Sequence, residues 1–155
     1  MMSSYLKKFA IKVLVFTLLG VSSIDAQDIA VIMSERSDIN QLSVEQVRHI
    51  FLRKQHLTAQ GERWIPVNLS AHNVVRQAIT EQVLQLTASE LERYWSEQYF
   101  SGVSPPYVLA SEEAVLRFVS ETPNAIGYIL NCHADVGVKA VYTFNDNKLN
   151  SKLCP

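Results

Sequence analysis

Histidines, cysteines and neighbouring carboxylates are the first residues to ask about chemistry. His49, His56, His72 and His133 are scattered, and no two share the i, i+4 spacing that would put both imidazoles on one helix face. A zinc site is therefore not expected. Glu112 and Glu113 stand together at the start of a predicted helix. Consecutive side chains diverge there and complement the positive helix end, so they read as an electrostatic cap rather than an acid and base pair. Cys132 beside His133 would offer a nucleophile and its base, but adjacent strand residues point to opposite faces. The nucleophile elbow, the Walker loop and the dinucleotide fingerprint are all missing from the sequence. No catalytic residue, metal or cofactor is assigned, and the chain is not read as an enzyme.

One corner survives that filter. Val67, Asn68 and Leu69 end a predicted strand, and Ser70, Ala71, His72 and Asn73 lead into a helix capped by Ser70. Free backbone N–H groups and the positive end of the helix dipole suit an oxyanion there. Arg76 lies one turn on and could add a charge-assisted bond, and Ser111 opens a helix expected to point to the same side. The candidate ligand residues are therefore Ser70, His72, Asn73, Arg76 and Ser111. Ordinary helix capping is the competing explanation for all of them. Asn68, Leu69 and Ser70 also fit a glycosylation acceptor.

The elements that must hold this corner follow from hydrophobic spacing. Asp28 to Met33 reads as a buried strand, and Ser43 with Gln46 forms a capping box for a helix carrying Val44, Val47, Ile50 and Phe51 on one face. Trp64 to Leu69 is a second strand. Val74, Val75, Ala78, Ile79 and Val83 recur at helical spacing, and Thr87 with Glu90 caps a third helix. Gly102, Pro105 and Pro106 follow that helix. A short strand at Tyr107 to Leu109, a helix capped by Ser111, and strands at Ile126 to Leu130 and Val138 to Phe144 complete the order β α β α α β α β β. Helices between strands predict an α/β fold with a mixed or mostly parallel sheet flanked by helices.

Composition bounds the partners. The chain has 155 residues, of which 48% are hydrophobic and 19% charged, enough for one core. Lys7, Lys8 and Lys12 precede the uncharged run Val13 to Val21, which is too short for a spanning helix and reads as a secretory signal peptide cleaved after Ala26, with Ser23 as the alternative site. Residues 1–26 are thus expected to be removed, leaving one domain over 27–155 that is periplasmic or secreted and not inserted in a membrane. Losing three bases and one acid shifts the formal net charge from −1 to −3, which gives nucleic acid little to bind. Export also places Cys132 and Cys154 in an oxidising compartment, where they are expected to form a disulfide.

Several short segments, in order, resemble a known family. Leu42 and Ser43 with Ile50, Phe51, Leu52, Arg53 and Lys54, the stretch Ile65 to Ser70 with Arg76, Tyr94 and Trp95 with Phe100, Ser101 and Gly102, the pair Pro105 and Pro106, and Pro123 to Tyr128 are similar to the phosphate-binding components of ABC transporters, the type 2 periplasmic binding proteins. The likeness is stronger to small exported proteins of that type. It implies a single-lobe form of the fold, with one half of the usual cleft. In that family a Gly stands where this chain has Arg53, and a Ser-Gly-Thr turn stands where Leu69 to Val75 reads LSAHNVV.

Two functions follow. The first is an exported solute-binding module that recognises phosphate or a similar small oxyanion weakly, with a homodimer or a partner protein completing the cleft. The second is an exported interaction or sensory module that kept the fold without a ligand and contacts a partner protein through a surface around Tyr94 to Tyr107.

Overall fold

The computed structural model describes residues 27–149 and 153–154. The proposed signal segment, residues 1–26, lies outside them. One five-stranded mixed sheet organises the chain, in the order β3-β2-β4-β1-β5. Its strands are β1 (Gln27–Ser34), β2 (Ile65–Leu69), β3 (Tyr107–Leu109), β4 (Ala125–Leu130) and β5 (Val138–Asp146). The helices are α1 (Val44–Phe51), α2 (Val74–Ala78), α3 (Ala88–Phe100) and α4 (Glu112–Glu121). The element order is the one hydrophobic spacing predicts.

Pairing divides the sheet in two. β1 lies antiparallel to both β4 and β5, with Val31 opposite Tyr128 on one side and Tyr142 on the other. β2 lies parallel to β3 and to β4. β4 is buried along its whole length and β1 from Ile29 onward, as strands with both faces covered should be. The β2–β4 ladder is in register only at Ile65 with Ala125 and Pro66 with Ile126. Pro66 has no N–H to give the ladder, and past it the Leu69 amide donates instead to the Tyr128 hydroxyl, at 3.2 Å.

Close approach of α4 to the sheet depends on Gly127. A Cβ added there would stand 2.5 Å from Val115 Cγ1, 3.1 Å from Val67 Cγ2 and 3.2 Å from Val119 Cγ2, so the helix sits on bare backbone. The end of α1 has the opposite character. The amides of Arg53 and Lys54 donate to Ile50 and His49, a Schellman end that places Arg53 at φ 57°. The α3 end repeats this pattern, with Gly102 at φ 76° donating to Tyr99 and Val103 donating to Gln98. Arg53 therefore holds a left-handed backbone conformation, at a cost of about 1–2 kcal/mol for a residue with a Cβ.

Two local expectations change. The helix after β2 is capped by Asn73 rather than Ser70, because Ala71 and His72 first form a turn closed by Asn73 N–H donating to Ser70 O. That helix then widens into a π turn over Ile79–Val83. The π turn lets Val75, Ala78, Ile79 and Val83 all face the core, whereas Val74 turns outward and is 44% exposed. Cys132 and Cys154 are joined, with their Cα atoms 6.0 Å apart, and the bridge ties the C-terminal segment to the turn after β4.

Candidate functional site

Parallel pairing of Leu69 with Leu109 brings the ends of β2 and β3 to the same edge of the sheet. Ser70 and Ser111 therefore lie at one edge, each between a strand and a helix. Ser70, His72, Asn73 and Ser111 lie at this edge, and the side chains of Ser70, Asn73 and Ser111 are engaged locally. Asn73 Oδ1 accepts from Val75 N at 2.8 Å and Arg76 N at 3.3 Å, which occupies two of the amides expected to meet an anion. Ser70 Oγ accepts from His72 N at 3.4 Å, and Ser111 Oγ accepts from Ala114 N at 3.1 Å. The cause of this local engagement is physical. A short polar side chain next to helix amides reaches them faster than any solute does.

Arg76 behaves differently. Its Nη1 donates to Tyr128 OH at 3.3 Å, and Tyr128 OH donates to Asn68 Oδ1 at 3.1 Å. With the Leu69 amide, that hydroxyl makes one donated and two accepted bonds, its full capacity. Burial pushes the Tyr128 phenol up from its ordinary value, partly offset by the Arg76 guanidinium and the bonds it accepts, so it stays a donor to Asn68. Asn68 is 3% exposed, which withdraws it from glycosylation.

Beyond this network lies a cavity of about 280 Å³ between the helix after β2, α3 and the segment entering β3. Arg76 and Asn68 line it, and so do Leu91, Trp95, Pro106 and Val108. Of the five predicted ligand residues, only Arg76 borders this space. Among the described residues Arg76 forms no ion pair. Glu81, also on the wall, is paired with Lys148. Spacing around residue 70 emphasised backbone amides. What could have pointed to the cavity is the combination of Trp95 on a sparsely apolar helix and the Pro105 and Pro106 pair.

The second corner carries its own anion. Glu112 Oε2 accepts from Leu130 N at 2.7 Å and lies 2.9 Å from His133 Nδ1. This carboxylate ties the start of α4 to the end of β4, so the predicted cap has a specific partner besides the dipole. Cys132, His133 and Cys154 gather metal-ligating atoms within 4.8 Å of one another, but the two sulfurs are bonded together.

No family model matches the chain, and no curated protein matches it. Solved structures do. A phosphate ABC transporter substrate-binding protein of Clostridium perfringens with bound phosphate aligns at TM-score 0.62 and 20% identity, covering 76% of this chain and 45% of that one. An ABC-type phosphate transport receptor of Vibrio cholerae aligns at TM-score 0.62 and 21% identity, covering 76% and 46%. PstS of Borrelia burgdorferi aligns at TM-score 0.53 and 18% identity, covering 70% and 43%. At these identities the likeness establishes the fold. The chain has the α/β fold of these substrate-binding proteins and spans just under half the length of the first two.

Proposed function

We propose that this chain is an exported, single-lobe solute-binding module that holds phosphate or a similar small oxyanion weakly at Arg76. The observation that carries the reading is a half-buried guanidinium on a cavity wall with one neutral partner, Tyr128 OH, and no ion pair among the described residues. The structures it resembles are named for phosphate transport, which supports the class of ligand. The basic and apolar start of the sequence supports export to a periplasmic or extracellular space, and the Cys132–Cys154 bridge suits that compartment. The region after residue 26 is read as one domain.

Weak binding follows from geometry. A lobe that covers an anion from one side leaves it partly hydrated and screened, so each contact contributes less than it would in a closed cleft. A homodimer or a partner protein would supply the other wall. Calorimetric titration with inorganic phosphate at low and moderate salt tests the reading. Heat that saturates at millimolar ligand and weakens with salt is expected, and no heat at that concentration overturns it.

A second reading has its own support. Tyr99, Phe100, Tyr107 and Val108 are 72%, 90%, 79% and 64% exposed at the end of α3 and on edge strand β3. With two amides already filled by Asn73, a module that meets a protein partner through this surface is the alternative when phosphate gives no heat.

A further inference from the structure

We infer that the ligand of the cavity beside Arg76 is a small organic carboxylate with an apolar or aromatic body, preferred over inorganic phosphate. The inference rests on the reading of Arg76 as an anion-binding group and narrows the class of anion. Three observations lead to it.

The first is size. About 280 Å³ is close to the lower bound of roughly 300 Å³ typical of sites for small organic molecules, and a lone tetrahedral anion would leave most of it unfilled. The second is the wall. Leu91, Trp95, Pro105, Pro106 and Val108 present mostly hydrocarbon and an indole ring, whose N–H is buried with no hydrogen-bond partner among the described residues. Phosphate gains nothing from the hydrocarbon of such a wall, whereas an aromatic or branched body gains by leaving water. The third is charge. Among the described residues Arg76 is the one cation on the wall, Glu81 is paired with Lys148, and Glu92 stands on the wall as an acid. Beside Glu92 a singly charged head is repelled less than a doubly charged phosphate.

The parts then have distinct roles. Arg76 offers the guanidinium fork to a carboxylate, and Asn68, held by its bond from Tyr128, fixes the polar end of the cavity. Tyr128 is a positioning residue, since it touches both polar groups and does not line the cavity. Trp95 and the two prolines supply a rigid apolar face whose ordering on binding costs little.

Phenylacetate, inorganic phosphate and benzyl alcohol serve as probes, titrated into the full exported chain by calorimetry, with the indole N–H signal of Trp95 followed by nuclear magnetic resonance. Phenylacetate is expected to bind about tenfold more tightly than phosphate, the gain that burial of an aromatic ring readily supplies. It should also bind about tenfold more tightly than the alcohol, and should move the Trp95 indole signal while leaving that of Trp64 in place. Arg76→Lys should lower phenylacetate affinity and leave alcohol binding unchanged. The exposed position of Val108 makes Val108→Asn a variant that folds, and it should weaken phenylacetate but not phosphate. Phosphate binding as tightly as phenylacetate overturns this inference and leaves the oxyanion reading standing. Failure of both anions to bind overturns both. Alcohol binding as tightly as phenylacetate, indifferent to Arg76→Lys, also overturns the inference, because the cavity would then be an apolar hole without a role for charge.

Discussion

Two strand-to-helix corners stand side by side in this fold, and they have opposite electrostatics. At the β2 corner the helix amides are capped by neutral Asn73, and the next charged group is Arg76, held by the Tyr128 hydroxyl on a cavity wall. At the β3 corner Ser111 caps the helix and Glu112 closes the space with a carboxylate that binds Leu130 N–H and His133. The backbone plan is shared, since β2 and β3 run parallel and end in register. What differs is a single charge supplied by the chain itself. The β3 corner brings its own anion, whereas Arg76 at the β2 corner forms no ion pair among the described residues, and the proposed anion site rests on that difference.

This contrast can be broken at its foundations first. Gly127→Ala would push a methyl into Val115 and Val67, lifting α4 and the β3 corner off the sheet. A loss of about 3 kcal/mol is expected from urea unfolding, at the upper end for overpacking. Tyr128→Phe comes next. It leaves Asn68 and the Leu69 amide buried without their partner and should cost about 2 kcal/mol, while loosening Arg76 and weakening any anion bound there. The same hydroxyl sets a pH dependence. Its folded pKa is raised above the ordinary 10.0 by burial, so its contribution is complete below that value and is lost as pH climbs through the folded value. Thermal unfolding above pH 10 should therefore fall less steeply in Tyr128→Phe than in the parent.

Smaller changes address the charges themselves. Glu112→Ala removes the acceptor of Leu130 N–H and should cost about 1 kcal/mol. If the carboxylate is what closes this corner, the variant should also gain weak phosphate binding in calorimetry, and an unchanged titration would separate the two corners by something other than charge. Arg76→Ala should have the least effect on stability, below about 1 kcal/mol, because the residue is half-buried and makes one side-chain bond. Its effect should instead be on ligand affinity, and a large drop in melting temperature would mark it as structural.

The order of elements could be read from sequence because each step had a local cause. The Ser43 and Gln46 box and the Thr87 and Glu90 box both form, since the partners are three residues apart and need nothing from the rest of the fold. The Cys132–Cys154 pair required only a count of cysteines and an expected compartment. The cap at residue 70 was a harder case, because Ser70 and Asn73 are both good caps and the turn at Ala71 and His72 decides between them. Equally illegible was the role of Tyr128. It lies 52 residues from Arg76 and 60 from Asn68, and nothing in the spacing links them.

From the amino-acid order alone came the alternation of strands and helices, their caps, the disulfide and the presence of an arginine soon after a strand end. These rest on contacts within a few residues, on hydrophobic period and on cysteine chemistry. The packed chain alone decided which corner was already neutralised, where Arg76 was aimed, and that an apolar cavity lay beside it. Those properties depend on side chains brought together across the sheet from distant positions, and a charge is satisfied or left unpaired only by neighbours that folding supplies.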